Sequence, residues 1–232
     1  MCALTLRLTI VFAVTIEQRI RAVLWDFGGV ILTSPFDAFG DFERSAGLPE
    51  GLIRKINSTN PNTNAWARLE RSEVGISDFA VLFNNEAEAL GHAVDARQLL
   101  SLLNGQIRPQ MVEALRRCKR AGYKIACLTN NINTSDGGSE ASDPVRAEAV
   151  AEVMSLFDHV TESRHTGVRK PEVRFYEMAC DALSIHPREA VFLDDLGINL
   201  KPAAALGMRT IKVTDPDVAL RELSAVLQIE LY

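Results

Sequence analysis

Short apolar stretches that end abruptly at a polar residue recur along the chain. The stretches 22–25, 124–128 and 190–193 end at Asp26, Thr129 and Asp194 respectively. Such runs are typical of buried parallel strands, and a further strand is predicted at 210–213. In an open α/β sheet, ligands bind at the carboxyl ends of the strands. The polar residues that follow these runs are therefore expected to meet at one site.

Between the first and second runs the apolar residues follow helical spacing instead, from about Pro35 to Ile107, with no strand among them. Further helices are predicted at 111–121, 145–156 and 172–183, and a last one begins at Pro216. The pattern predicts an α/β fold: a Rossmann-like three-layer parallel-sheet core, formed by residues 19–33 and 108–232, with a helical insert at 34–107.

The polar residues at the predicted strand ends suit phosphoryl transfer. Four groups occur in a fixed order along the chain: Asp26, Thr129–Asn130, Lys170 and Asp194–Asp195. Asp26 could attack phosphorus as a nucleophile while Mg²⁺ bridges carboxylates and phosphate. Lys170, Thr129 and Asn130 could hold the negative oxygens. These residues are the candidate catalytic and phosphate-binding groups.

The order and types of these residues resemble those of the haloacid dehalogenase superfamily of hydrolases. The stretches 191–197 and 199–202 are similar to the N-terminal phosphatase domain of soluble epoxide hydrolase, and the resemblance covers roughly residues 20–232. It implies that 34–107 forms an α-helical cap over the active site. We expect Mg²⁺ to bind the carboxylates of Asp26 and Asp195 and the carbonyl of Gly28. Asp194 and Asn199 are expected to support that site.

Gly28 departs from the Asp-x-Asp pattern of most phosphatases in that superfamily. The second Asp normally protonates the leaving oxygen, and general acid–base catalysis contributes roughly 10²–10⁴-fold. The sequence therefore favours a phosphomonoesterase or phosphotransferase that Gly28 weakens or specialises. The alternative is a non-catalytic or regulatory phosphate-binding protein. A haloacid dehalogenase is disfavoured, because it needs no metal and therefore no Asp194–Asp195 pair.

Composition and charge restrict the partners. The net charge is −5 and the sequence pI is about 5.5, with no large cluster of Lys and Arg. We therefore expect a small phosphorylated metabolite as the ligand, and neither nucleic acid nor membrane. The four cysteines form no CxxC pair, which favours a reduced, cytoplasmic protein. A homodimer formed through the cap is left open.

Two further segments have two interpretations each. Residues 1–18 include an apolar stretch whose uninterrupted part, Ile10–Val14, is too short to span a membrane. They are expected to be an extension outside the conserved domain, with an added edge strand as the alternative. The polar loop Asn57–Asn64 is either a solvated turn or a loop that faces the substrate.

Overall fold

A five-stranded parallel sheet forms the centre of the molecule. The computed structural model describes residues 19–132 and 144–232. The sheet has the order β3-β2-β1-β4-β5. Its strands are β1 Ala22–Trp25, β2 Lys124–Thr129, β3 His159–Glu162, β4 Ala190–Asp194 and β5 Arg209–Lys212. In the central strand, Trp25 lies opposite Cys127 of β2 and Leu193 of β4. Both neighbours thus end at the same edge as β1.

Helices cover both faces of this sheet. They are α6 Pro109–Arg120, α7 Pro144–Ser155, α8 Ser163–Thr166, α9 Val173–Leu183, α10 Gly197–Ala205 and α11 Pro216–Leu227. Val23 and Trp25 pack with α6, α7 and α11 on one face, and Ala22 and Leu24 pack with α9 and α10 on the other. Because β1 is buried on both faces, its sequence is a continuous apolar run. The predicted three-layer α/β core is confirmed.

Five helices lie between β1 and α6. They are α1 Pro35–Ser45, α2 Leu52–Ser58, α3 Ala65–Glu70, α4 Ile76–Glu88 and α5 Ala96–Ser101. They share an apolar cluster of their own, separate from the two sheet faces, in which Phe79 and Phe83 are fully buried. We call residues 34–107 the helical insert. Its assignment as a distinct cap domain stays a prediction.

The two chain segments that join the insert to the core run side by side. Leu32 and Ile107 form an antiparallel bridge, and the Thr33 N–H donates to the Gln106 carbonyl at 2.8 Å. The insert therefore begins and ends at one place, directly after the turn that follows β1.

The sequence pattern missed some elements. β3 and the short helix α8 were not predicted, because β3 lies at the edge of the sheet and only Thr161 is buried in it. The predicted extension at 1–18 lies outside the described residues. Within residues 19–132 and 144–232, the helices lack the length and apolar character needed to cross a bilayer.

Candidate active site

Three carboxylates meet where β1 and β4 end. Asp26 follows β1 directly, Asp194 is the last residue of β4, and Asp195 comes next. Each offers an oxygen such that these atoms all lie within 4.8 Å of one another. The three carboxylates therefore lie just beyond the carboxyl ends of β1 and β4. The strand order runs outward from β1 in both directions, and open α/β sheets bind ligands at such a point.

Lys170 is buried among these acids. Its Nζ lies 2.7 Å from Asp26 Oδ1 and 2.8 Å from Asp194 Oδ2, and its side chain is 1% exposed. Burial lowers the pKa of Lys170, but the charges of Asp194 and Asp26 outweigh this effect and raise it above its usual value. Lys170 is therefore a permanent positive charge in contact with Asp26.

The carboxyl group of Asp26 is in a costly environment. Burial raises the pKa of Asp26 well above its usual value, and the charges of Asp194 and Asp195 add to this, while Lys170 opposes it. One of its oxygens accepts hydrogen bonds from the Phe27 N–H and from Lys170. An additional cation beside Asp26 would favour its ionised form.

Asp194 is held by hydrogen bonds on both oxygens. Asn199 Nδ2 donates to both at 3.0 and 3.1 Å, and the Leu196 N–H donates to Oδ1 at 2.8 Å. The backbone of Asn199 is held in turn, since its main-chain carbonyl accepts a hydrogen bond from the Tyr176 hydroxyl at 2.7 Å. With Lys170 also bonded to it, Asp194 is arranged to orient Lys170 rather than to bind a ligand directly.

The two glycines of the turn after β1 differ. Gly29 has a φ of +76°, and a Cβ there would lie 2.2 Å from Asp195 Oδ2. The positive φ and the lack of space for a Cβ therefore both require glycine at this position. Gly28 has a φ of −69°, and a Cβ there would have no atom within 4 Å. Both the backbone conformation and the free volume at position 28 would allow a side chain. The lack of an acid there is therefore not imposed by the fold, and it changes the chemistry of the site.

Asp195 has one partner that sequence reasoning missed. Ser34, which precedes the first insert helix, donates its hydroxyl to Asp195 Oδ2 at 3.0 Å. Burial and the neighbouring Asp194 raise the pKa of Asp195. The bond links the start of the insert to the acidic cluster.

The donor set fits Mg²⁺. With Asp26, Asp194 and Asp195 ionised, Lys170 leaves the cluster with two uncompensated negative charges, which match a divalent cation. Mg²⁺ takes oxygen ligands and is commonly held by one or two carboxylates together with water and phosphate. Asp26 and Asp195 are the carboxylates available to it, and Gly28 lines the same cavity.

Asn130 binds the backbone of Lys170. Its Oδ1 accepts from the Lys170 N–H at 2.9 Å, and its Nδ2 donates to the Lys170 carbonyl at 3.0 Å. Thr129 is buried at the end of β2 and is not among the residues that line the cavity. The roles of Thr129 and Asn130 as phosphate ligands stay predictions, and Asn130 has a positioning contact that the sequence did not indicate.

The cluster borders a cavity of about 410 Å³ that is lined by residues of both the core and the helical insert. Asp26, Gly28, Lys170 and Asp195 line it from the core side. The insert contributes mostly apolar side chains, namely Pro35, Phe36, Phe39, Pro61 and Trp66. Arg54 also lines it, with its guanidinium 4.8 Å from the centre of the Phe36 ring.

The polar loop of the insert contributes residues both to the cavity wall and to the start of a helix, a role that was not predicted. Asn57, Ser58 and Pro61 line the cavity, as expected of a loop that faces the substrate. Asn64 is buried and accepts from the Ala67 N–H at 2.9 Å, so it begins α3. The loop therefore serves both packing and the cavity wall.

Glu70 and Arg169 also line the cavity, where they form an ion pair that was not predicted from the sequence. Glu70 ends α3, and its Oε2 accepts from Arg169 Nε and, at 3.1 Å, from Asn130 Nδ2. Burial raises the pKa of Glu70 although Arg169 opposes it. In the sequence, only the position of Arg169 next to Lys170 indicates that Arg169 lies near the site. Nothing in the sequence of α3 distinguishes Glu70 from a surface residue.

Comparison with known proteins agrees with this geometry. The model of the haloacid dehalogenase-like hydrolases matches residues 20–207. The chain belongs to this family. This confirms the resemblance that was drawn from the sequence, and it confirms that the protein is a hydrolase enzyme.

Two relatives and one solved structure illustrate the range of the family. The chain is 31% identical to the bifunctional epoxide hydrolase 2 of Sus scrofa over 92% of its own length and 40% of that protein. It is 26% identical to the sesquiterpene phosphatase astK of Aspergillus oryzae, over 88% of this chain and 94% of the relative. A HAD family enzyme of Bacteroides thetaiotaomicron, solved with magnesium and inorganic phosphate, shares the fold with a TM-score of 0.52 at 20% identity. That match covers 83% of this chain and 93% of the other.

The first two curated relatives are much longer proteins, of which the chain spans 20% and 40%. The similarity to them is therefore confined to one part of each, and their whole activities do not transfer.

Proposed function

We propose that this haloacid dehalogenase-like hydrolase is a Mg²⁺-dependent phosphomonoesterase that acts through a phospho-Asp26 intermediate. The observation that carries the proposal is the contact of Lys170 with Asp26 and Asp194, in a cluster of three acids that has an excess of two negative charges when all three are ionised. Such a cluster repels a phosphate dianion on its own, and a bound divalent cation would neutralise that excess charge and polarise the phosphate oxygens.

In this mechanism Asp26 forms a bond to phosphorus through one carboxylate oxygen while the ester oxygen leaves. Lys170 orients Asp26 and balances the charge that develops on the phosphoryl oxygens. Asp194 and Asn199 hold Lys170 in place, and Asp195 with Asp26 and the Gly28 carbonyl would hold Mg²⁺. When bound, the cation would supply charge neutralisation and a template for the phosphate. A water oxygen then bonds to phosphorus while the bond to the Asp26 oxygen breaks, which restores the carboxylate and releases phosphate carrying the protons of that water.

The cavity supports a substrate with an apolar part. On the insert side its wall includes three aromatic side chains, Phe36, Phe39 and Trp66, and apolar surfaces in a pocket select the apolar part of a ligand. The phosphatase activity named for the relative astK supports the same reaction class. We therefore favour a small phosphate monoester of a largely apolar alcohol, handled in the cytoplasm, where cysteines such as Cys118 stay free.

A second candidate function is phosphate binding without catalysis, which Gly28 favours because that position offers no proton donor. Turnover by the unchanged protein would exclude it.

The test is release of inorganic phosphate from p-nitrophenyl phosphate and from an alkyl phosphate, with Mg²⁺ or with EDTA. We expect turnover that requires Mg²⁺ and that Asp26→Asn abolishes. Asp41→Asn, an exposed aspartate in α1, is the matched control and should retain full activity. Turnover that persists in Asp26→Asn would exclude the phospho-Asp26 mechanism.

A further inference from the structure

The absence of an acid at position 28 raises the question of which group protonates the leaving oxygen. A Cβ at Gly28 would meet nothing within 4 Å, so the space beside Asp26 where that acid would lie is open to the cavity. An alkyl alcohol is a poor leaving group without a proton, and general acid catalysis contributes roughly 10²–10⁴-fold. A second proton donor in the same cavity would make up for the difference.

Glu70 is the carboxyl group of the helical insert that lines this cavity, among the residues that the structure describes. Its Oε2 is bonded to Arg169 and Asn130. Its Oε1 accepts no hydrogen bond from any described residue, which leaves that oxygen for a group in the cavity. Asp26 and Glu70 line the same cavity of about 410 Å³, so a phosphoester held at Asp26 occupies space that Glu70 also borders.

The surroundings of Glu70 suit an acid that gives up a proton and must then be stabilised as a carboxylate. Burial favours the protonated form, with its pKa raised. Arg169 and the Asn130 amide favour the carboxylate that remains after transfer. Asn130 also holds the backbone N–H and carbonyl of Lys170, so Glu70 is linked through Asn130 to the backbone of the residue whose side chain contacts Asp26.

We propose that Glu70 is the general acid of the reaction, supplied by the helical insert in place of an acid at position 28. The inference rests on the proposed phosphatase function. As the Asp26 oxygen bonds to phosphorus, the P–O ester bond breaks and its electron pair stays on the leaving oxygen. The proton of the Glu70 carboxyl group moves to that oxygen, which departs as the neutral alcohol. Glu70 is left as a carboxylate paired with Arg169.

The experiment compares p-nitrophenyl phosphate, whose leaving group needs no proton, with hexyl phosphate, whose leaving group does. The measured quantity is the ratio of the two kcat/KM values, because a ratio is unaffected by the fraction of folded enzyme. In Glu70→Gln, which keeps the size of the side chain, we expect kcat/KM for hexyl phosphate to fall about 10²–10⁴-fold. The value for p-nitrophenyl phosphate should fall less than about tenfold, since the proton is not needed there.

Two further variants make the result specific. Glu86→Gln changes a second glutamate of the insert, which is partly buried and also has a raised pKa but does not line this cavity, and it should leave the ratio unchanged. Gly28→Asp placed in the Glu70→Gln protein should recover hexyl phosphate turnover selectively, because it returns an acid to the open space beside Asp26.

The outcomes separate this inference from the proposed function. Equal losses on both substrates in Glu70→Gln would mean that Glu70 only positions Lys170, and would overturn the inference while leaving the phosphatase intact. The same holds if the unchanged enzyme hydrolyses p-nitrophenyl phosphate but not hexyl phosphate. No turnover of either substrate by the unchanged enzyme would overturn the proposed function and the inference together.

Discussion

Replacement of Lys170 by methionine tests whether the acidic cluster depends on its buried cation. Lys170 contacts Asp26 at 2.7 Å and Asp194 at 2.8 Å, with its side chain 1% exposed. Methionine keeps most of the aliphatic length, so little packing is lost and the electrostatic effect dominates. Removing one partner of a buried ion pair costs about 3–5 kcal/mol, because it leaves an uncompensated charge. That is a large part of a typical stability of about 5–15 kcal/mol.

The loss should depend on pH in a defined direction. In the folded protein the pKa of Asp26 is already raised by burial, and without Lys170 it rises further above its unfolded value of about 3.9. A carboxyl group with a raised folded-state pKa costs stability above that pKa, and the cost is relieved as the pH falls through it. We therefore expect the deficit of Lys170→Met to be largest at pH 8 and clearly smaller at pH 5.

The assay is urea unfolding in EDTA, followed by far-UV circular dichroism at both pH values. Lys201→Met, which removes an exposed lysine of α10, is the control and should change stability by less than about 0.5 kcal/mol. The double variant Lys170→Met with Asp194→Asn should recover part of the loss, because it removes one of the unpaired charges. A deficit of less than about 1 kcal/mol at pH 8, or one that is the same at both pH values, would refute the reasoning.

Two other predictions concern the same cluster. Gly29→Ala should destabilise the protein by about 1–3 kcal/mol in urea unfolding, because its φ is +76° and its Cβ would overlap Asp195; the neighbouring Gly28→Ala should be neutral or slightly stabilising, and equal effects would contradict the assigned geometry. Mg²⁺ at 100 times its Kd should raise the free energy of unfolding by about 2.7 kcal/mol, and Asp195→Asn should need far more Mg²⁺ for the same gain; a response unchanged in that variant would exclude Asp195 as a ligand.

The sequence allowed prediction of those features that depend on strand ends. Asp26 and Asp194 were located because an apolar run stops at each, and because adjacent parallel strands bring their ends together. The edge strand β3 was missed, since a strand with only Thr161 buried lacks the apolar run of a central one.

The contacts across the cavity could not be predicted in the same way. Glu70 and Ser34 belong to the helical insert, and their partners Arg169 and Asp195 belong to the core. These contacts depend on how the insert is oriented on the core, which no local periodicity encodes. The amide of Asn130 illustrates the same limit, because its partner is the backbone of Lys170, and a backbone group has no signature in the sequence.

The central place of β1 has a consequence for the order in which the protein can be made. Among the strands of the described residues β1 comes first along the chain, yet it pairs with β4, which comes fourth. A growing chain on the ribosome therefore carries Asp26 at the end of an apolar strand long before Lys170 and Asp194 exist to balance it. Domains generally fold as units, and exposed strand edges favour aggregation. The nascent core should thus need protection until β4 has been made, while the helical insert, whose buried apolar cluster is formed by residues 39–100, can fold earlier.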